Sequence, residues 1–238
     1  MNNSFQEEEN PFSLSIGDAM AALLLVFILI LSAILLELEE TKEKQNIVIT
    51  EYKNLKQEIY RELYNEFKDD LKDWGADLDS LSLSFKFNEP DVLFSSNSSV
   101  LKPEFQIILN DFFPRYVRIL RKEQFINNIE EIRIEGHTSS EWLYTATEDF
   151  AYIENMRLSQ DRTRTTLDFV LSQLENSDTK SWAKSLITAN GLSSSQLILN
   201  NDNTENKEAS RRVEFRVRTD AERRIDDLLR LIEKKDGK

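Results

Sequence analysis

Glu130-Glu131-Ile132-Arg133-Ile134-Glu135-Gly136-His137-Thr138 alternates charged and apolar residues and then meets a glycine. A period of two is that of a strand with one face on a core. Residues 81–87 alternate in the same way, with Leu81, Leu83, Phe85 and Phe87 against Ser82, Ser84 and Lys86. Residues 213–217 read as another strand, and residues 92–94 as a short one after the turn at Pro90. Between them lie helical patterns. Pro103 falls at the first turn of a helix expected to reach about Lys122, with Pro114 kinking or splitting it. Residues 155–174 read as an amphipathic helix carrying Leu158, Leu167, Val170, Leu171 and Leu174, after a long connection over 140–154. Residues 181–190 read as a shorter helix closed by Gly191 at the C′ position. Residues 200–210 form a polar loop. A last helix over 220–235 has acids early and Lys234 and Lys235 late, as the helix dipole favours. No internal repeat is evident. Strands alternating with helices predict an α+β fold, an α-β sandwich in which helices cover a small sheet.

Upstream, residues 14–36 form an apolar run whose one ionisable side chain is Asp18. At about 1.5 Å per residue a helix of this length crosses a bilayer core of roughly 30 Å. An acid inside such a helix costs at least ~2.5 kcal/mol, and residues that expensive face a partner or an aqueous path. The competing reading is a plain anchor with Asp18 at the interface. No basic residue precedes the run, so it is not read as a cleavable signal. Residues 1–13 form a short polar tail. Residues 37–80 form a charged helical linker, with apolar residues at Val48, Tyr52, Leu55, Ile59, Leu63, Phe67, Leu71 and Trp74 before Gly75 interrupts it. That stripe packs on its own domain or pairs with a second copy as a stalk. Its spacing drifts from strict heptads, so a long coiled coil is not expected.

Composition narrows the function. The 238 residues include no cysteine, which excludes disulfides and thiol catalysis. A net charge of -13 argues against nucleic acid as a direct partner. The one histidine, His137, leaves little for a histidine-built metal site. No nucleophile constellation or convincing pair of carboxylates is present, so an enzyme is not expected. Lys42 and Lys44 follow the apolar run and weakly favour a cytoplasmic C-terminus by the positive-inside rule.

Residues 81–218 resemble an OmpA-like peptidoglycan-binding domain. The resemblance rests on pieces in family order. These are residues 92–103, then Ile132-Arg133-Ile134-Glu135-Gly136-His137-Thr138, then Asn155-Met156-Arg157-Leu158-Ser159-Gln160-Asp161-Arg162, then Arg211-Arg212-Val213-Glu214-Phe215. The segment in which they fall, 81–218, is a little over half of the chain. The resemblance implies peptidoglycan as partner, with Arg162 on a stem-peptide carboxylate and Asn155 beside it. A guanidinium fork suits that contact, and Asn155 and Arg162, two helical turns apart, share a face. Leu158 lies on the same helix and reads as core before it reads as a binding residue, and Asn155 reads equally as a helix cap. Ser139 stands where the family has an aspartate that holds the stem-peptide amine. Either an acid of the following loop, such as Glu141, replaces it or the amine contact is weaker. His137 reads as a fold-holding hydrogen bond at the strand end.

One membrane helix with an early aspartate, a helical linker and an OmpA-like domain is the layout of stator B subunits, the family of the flagellar motor protein MotB. Ser15-Ile16-Gly17-Asp18-Ala19-Met20-Ala21-Ala22-Leu23 resembles their helix start. The resemblance implies a homodimer inside a ring of a multi-span, MotA-like partner. Asp18 would conduct protons or sodium, and no cofactor is implied beyond that ion. It also implies a bacterial inner-membrane protein with a cytoplasmic N-terminus and a periplasmic C-terminal domain, opposite to the faint lysine signal. The absence of a basic tail, the charged stretch after the span and the Gly-His-Thr-Ser-Ser-Glu-Trp loop are more similar to the ZorB-type subunits of Zorya anti-phage systems, whose partner is the MotA-like ZorA. The alternatives are a flagellar-type stator subunit and a passive peptidoglycan tether without ion flow.

Overall fold

In the computed structural model the described residues are 11–88, 93–95, 97–142, 146–220 and 223. Residues 221–222 and 224–235 of the expected C-terminal helix, Pro90 of the expected turn and Val92 of the short strand lie outside the described residues. The chain divides into two compact units, Met1–Thr50 and Glu51–Lys238. Helix α1, Pro11–Phe67, begins in the first. Within it Ile16–Glu43 is long and apolar enough to cross a membrane, and its large apolar side chains are exposed.

The second unit is built on a five-stranded sheet in the order β1-β2-β5-β3-β4. The strands are β1 (Ala76–Asp79), β2 (Ser84–Phe87), β3 (Ile129–Gly136), β4 (Ile187–Gly191) and β5 (Val213–Thr219). Only β3 and β4 run parallel among these pairings. The helices are α2 (Pro103–Leu120), α3 (Glu148–Ser172), α4 (Ser177–Leu186) and the short α5 (Lys207–Ser210). Such a mixed sheet with helices is the α-β architecture expected from the alternating patterns.

The alternation of β3 and β5 divides the sheet into two faces. Ile132, Ile134, Phe215 and Val217 are buried with Phe85 and Phe87 of β2. Phe112 of α2 is the hub of this layer. Its ring centroid lies 5.0 to 5.3 Å from those of Phe67, Phe85, Phe87, Phe215 and Tyr116, mostly in tilted or edge-on geometry. On the other face charged residues pair along and across the strands. Arg218 donates to Glu131 at 3.1 Å and Arg133 to the same carboxylate at 2.8 Å.

The end of α1 packs on its own domain. Ile59, Leu63 and Phe67 are fully buried, and Leu55, Leu71 and Trp74 pack beside them. Arg115 of α2 fixes this docking. It donates to Glu66 and to Asp70 at 2.9 Å each and lies 4.6 Å from the Phe67 ring centroid.

Several sequence expectations change. α1 stops at Phe67, and hydrogen-bonded turns carry the stripe on to Gly75. Residues 81–83 are a hairpin turn: the Asp79 carboxylate accepts from the backbone of Leu81 and Ser82, and Leu83 has a φ of 51°. Phe94 forms an isolated bridge with Leu101. Pro114 sits inside one continuous α2 and does not split it. α3 starts at Glu148, well before Asn155, and its N-cap is Thr147, whose hydroxyl accepts from Phe150 N. Residues 187–191 form a strand, not the end of a helix.

Candidate functional site

The end of β3 and the N-terminal half of α3 meet beside the loop that follows β3. The loop is pinned by backbone bonds: His137 N donates to Arg212 O at 3.0 Å, and Thr138 N to Ser193 O at 2.9 Å. Asn155 is buried and donates from Nδ2 to the carbonyls of Ser139 (3.2 Å) and Glu141 (2.9 Å). Its reading as a cap gives way to this one, because it lies in the helix interior and clamps the loop. Ser140 N donates to Glu205 at 2.9 Å, and the Glu141 carboxylate is paired with Lys207.

A cavity of about 290 Å³ opens here. Asn155, Leu158 and Arg162 form its α3 wall, and Thr138, Ser139, Glu141 and Trp142 the loop wall. Asn97 and Arg211 complete it. Leu158 is half-buried at this cavity and is not part of the core, contrary to its core reading. Arg162 donates from Nε to Ser98 O at 2.9 Å, and its guanidinium lies 4.9 Å from the Phe94 ring centroid. Among the described residues no carboxylate pairs with it. Burial, and then the neighbouring Arg211, bring its pKa down to about 10, so it stays charged at neutral pH. Two guanidiniums share one cavity whose single acid among the described residues, Glu141, is engaged by Lys207. The arrangement suits a carboxylate ligand, which would supply the missing counter-charge.

Over 220 residues the chain is 42% identical to the Zorya protein ZorB of Escherichia coli, an alignment that covers 92% of this chain and 93% of that protein. The chain belongs to the ZorB family. No protein-family model matches it. Among solved structures, a putative MotB-like protein from Desulfovibrio vulgaris aligns with a TM-score of 0.51 at 20% identity, covering 71% of this chain and 98% of that one. The cell wall anchor of the type VI secretion system from Pseudomonas aeruginosa aligns with a TM-score of 0.46 at 24% identity, covering 66% and 96%. The first likeness places the fold of this ZorB-family chain with MotB-like domains.

The structure brings Asn155, Leu158, Arg162, Ser139 and Glu141 to one cavity. Asp18 belongs to the first unit and is exposed on α1. Arg211 and Trp142 were not among the residues singled out from sequence as binding groups. Arg211 stood in the Arg-Arg-Val-Glu motif. Its neighbour Arg212 turns instead to Glu214, with Nε 2.6 Å from Oε1.

His137 does not hold the fold through a ring hydrogen bond. Its ring is buried, and neither ring nitrogen has a hydrogen-bond partner among the described residues. The nearest carboxylates are Glu214 at 3.7 Å and Glu135 at 3.9 Å. Glu214 is already held by Arg212 and by Ser84 Oγ at 2.6 Å. Burial, and then Arg212, push the His137 pKa from 6.5 to about 4. Between those values the unfolded chain binds the proton and the folded chain does not. The stability tied to neutral His137 is therefore present above pH 6.5 and is lost as pH falls toward about 4. Glu135, pushed up mainly by burial, acts in the opposite sense. Denaturant melts across this window are expected to give a shallower pH slope for His137→Gln than for the parent. Equal slopes would contradict the assignment.

Proposed function

We propose that this chain is the B subunit of an ion-driven, stator-like motor in anti-phage defence, tethered to the cell wall through the cavity on α3. Family membership supports the defence role, and the MotB-like fold supports the stator reading. Arg162 holds a carboxylate of a peptidoglycan stem peptide, with Arg211 as a second cation and Asn155 fixing the loop wall. The observation that carries the anchor is a half-buried guanidinium without a carboxylate partner among the described residues, facing a cavity beside a second guanidinium. In this reading Ile16–Glu43 contains the inner-membrane span, the N-terminus is cytoplasmic and the second unit is periplasmic. Two copies sit within a ring of a multi-span partner, Asp18 passes protons or sodium, and no cofactor takes part.

Sedimentation of the full-length protein with purified sacculi tests the anchor. Arg162→Ala is expected to weaken binding by roughly 2 kcal/mol, about thirtyfold, the lower range for removing one partner of a buried charge pair. Arg162→Lys retains the charge but not the fork and is expected to recover part of the loss. Unchanged sedimentation of Arg162→Ala would move the anchor elsewhere in the domain.

A further inference from the structure

A second cavity of about 290 Å³ adjoins the first, and the two share Asn97, Trp142 and Leu158. The second adds Ser98, Ser99, Arg157 and Asp161 to its lining. Nothing in the anchoring reading uses this compartment. We infer that it is a saccharide subsite, in which the Trp142 indole stacks on a sugar of the glycan strand whose stem peptide occupies the Arg162 compartment. The inference rests on the peptidoglycan reading proposed above.

The chemistry of the two walls favours a sugar. A pyranose offers an apolar C–H face and a rim of hydroxyls that donate and accept. Trp142 supplies a broad apolar surface of the kind that suits ligands with one apolar face and one wet edge. Asn97, Ser99, Arg157 and Asp161 place amide, hydroxyl, guanidinium and carboxylate groups around the same space. Arg157 is also paired with Glu154 and Asp161 with Arg164, and their remaining N–H groups and lone pairs give the donor and acceptor mixture that matches a hydroxyl rim. Each compartment is near the lower end of the ~300–1,000 Å³ range of small-ligand pockets. Covalent continuity supplies the occupant. A stem peptide hangs from a sugar, so a chain bound at Arg162 has to leave its compartment toward a saccharide, and the shared wall at Trp142 marks an exit.

The backbone leading to Trp142 is held in advance. Trp142 directly follows Glu141, whose carbonyl is held by Asn155 and whose carboxylate is held by Lys207, while Ser140 is tied to Glu205. Opposite it Asn97 sits at a φ of 50°, and the next carbonyl, Ser98 O, accepts from Arg162. Both lips of the second compartment are therefore fastened to residues of the first. An aromatic residue carried on pinned backbone spends less binding energy on ordering than one on a mobile loop.

Calorimetry on the detergent-solubilised full-length protein tests this with two probes: the free stem peptide, and the same peptide on its N-acetylglucosaminyl-N-acetylmuramyl disaccharide. The parent protein is expected to prefer the disaccharide-peptide roughly tenfold. Trp142→Ala is expected to bring that ratio close to one. Asp161→Asn, which lines the second compartment alone, is expected to lower the ratio by a smaller factor, with far-ultraviolet circular dichroism confirming that both variants fold. If the parent binds the peptide and the disaccharide adds nothing, the saccharide subsite is wrong and the anchor stands. If Trp142→Ala weakens both probes equally, Trp142 belongs to the peptide compartment and the inference falls. If the parent binds neither probe, the peptidoglycan reading fails and this inference fails with it.

Discussion

Asp18→Asn is expected to abolish both phage protection and ion flux while leaving the protein's abundance and sacculus binding at parental levels. Residues 16–36 contain no other ionisable side chain. The span Ile16–Glu43 presents its large apolar side chains outward, as a helix facing lipid or partner helices does. Within such a helix a carboxyl group is the expensive residue, and its usefulness lies in changing charge. Asparagine keeps the size and the polarity of the side chain and removes the ionisation. A role in ion passage is therefore lost, and a role as a polar surface group is kept. Gly17, Ala19, Ala21 and Ala22 flank the acid with small side chains, which let partner helices approach closely. Assembly with a multi-span partner, followed by co-purification, is the control and is expected to survive the substitution. Retained protection would make Asp18 an interfacial residue and the chain a passive wall tether.

The parts of the fold visible in the sequence were those where burial and hydrophobicity coincide. β3 and β5 alternate in apolar and charged residues because one face meets Phe112 and its neighbours and the other carries ion pairs. β1 escaped notice because Ala-Asp-Leu-Asp is short and half acidic, a composition common at sheet edges. The alternation of residues 81–87 continued through a turn stabilised by Asp79, so a hairpin end looked like strand. The start of α3 was hidden for a different reason. Its buried positions Ala151, Asn155, Ser159, Thr163 and Thr166 recur every three or four residues but are small or polar. A hydrophobic pattern cannot register a helix seated on small residues. The displaced start then suggested a cap at Asn155. Asn155 and Arg162 were legible through a motif and a shared helix face. The meeting of Arg162 with Arg211 and Trp142 was not, since it joins three segments far apart in the chain.

Those small residues set up the strongest effect expected from a single methyl group. Gly191→Ala should destabilise the second unit and impair wall binding together. Gly191 ends β4 and pairs in register with Gly136, the last residue of β3. A Cβ at position 191 would lie 2.3 Å from Gln160 N and 2.7 Å from Gln160 Cα. These are backbone atoms of α3, so no rotamer change relieves the clash. The seam is also closed by hydrogen bonds, with Ser193 N donating to Ser159 Oγ at 3.1 Å and Ser193 Oγ to Tyr152 O at 2.7 Å. The helix has to lift from the strand ends, which is expected to cost roughly 3 kcal/mol. For a domain of this size that corresponds to a fall of roughly 6–12 °C in Tm. Gln160 lies between Asn155 and Arg162 on the same helix, so lifting it shifts the α3 wall of the cavity and strains the bonds from Asn155 to the loop wall. Sacculus binding by the folded protein is therefore expected to weaken at temperatures well below the new midpoint. Gly17→Ala is the control for Tm and sacculus binding alone, because a Cβ at position 17 meets nothing within 4 Å among the described residues. An unchanged Tm for Gly191→Ala would mean that α3 is not seated on the strand ends, and the cavity built on that seating would lose its basis.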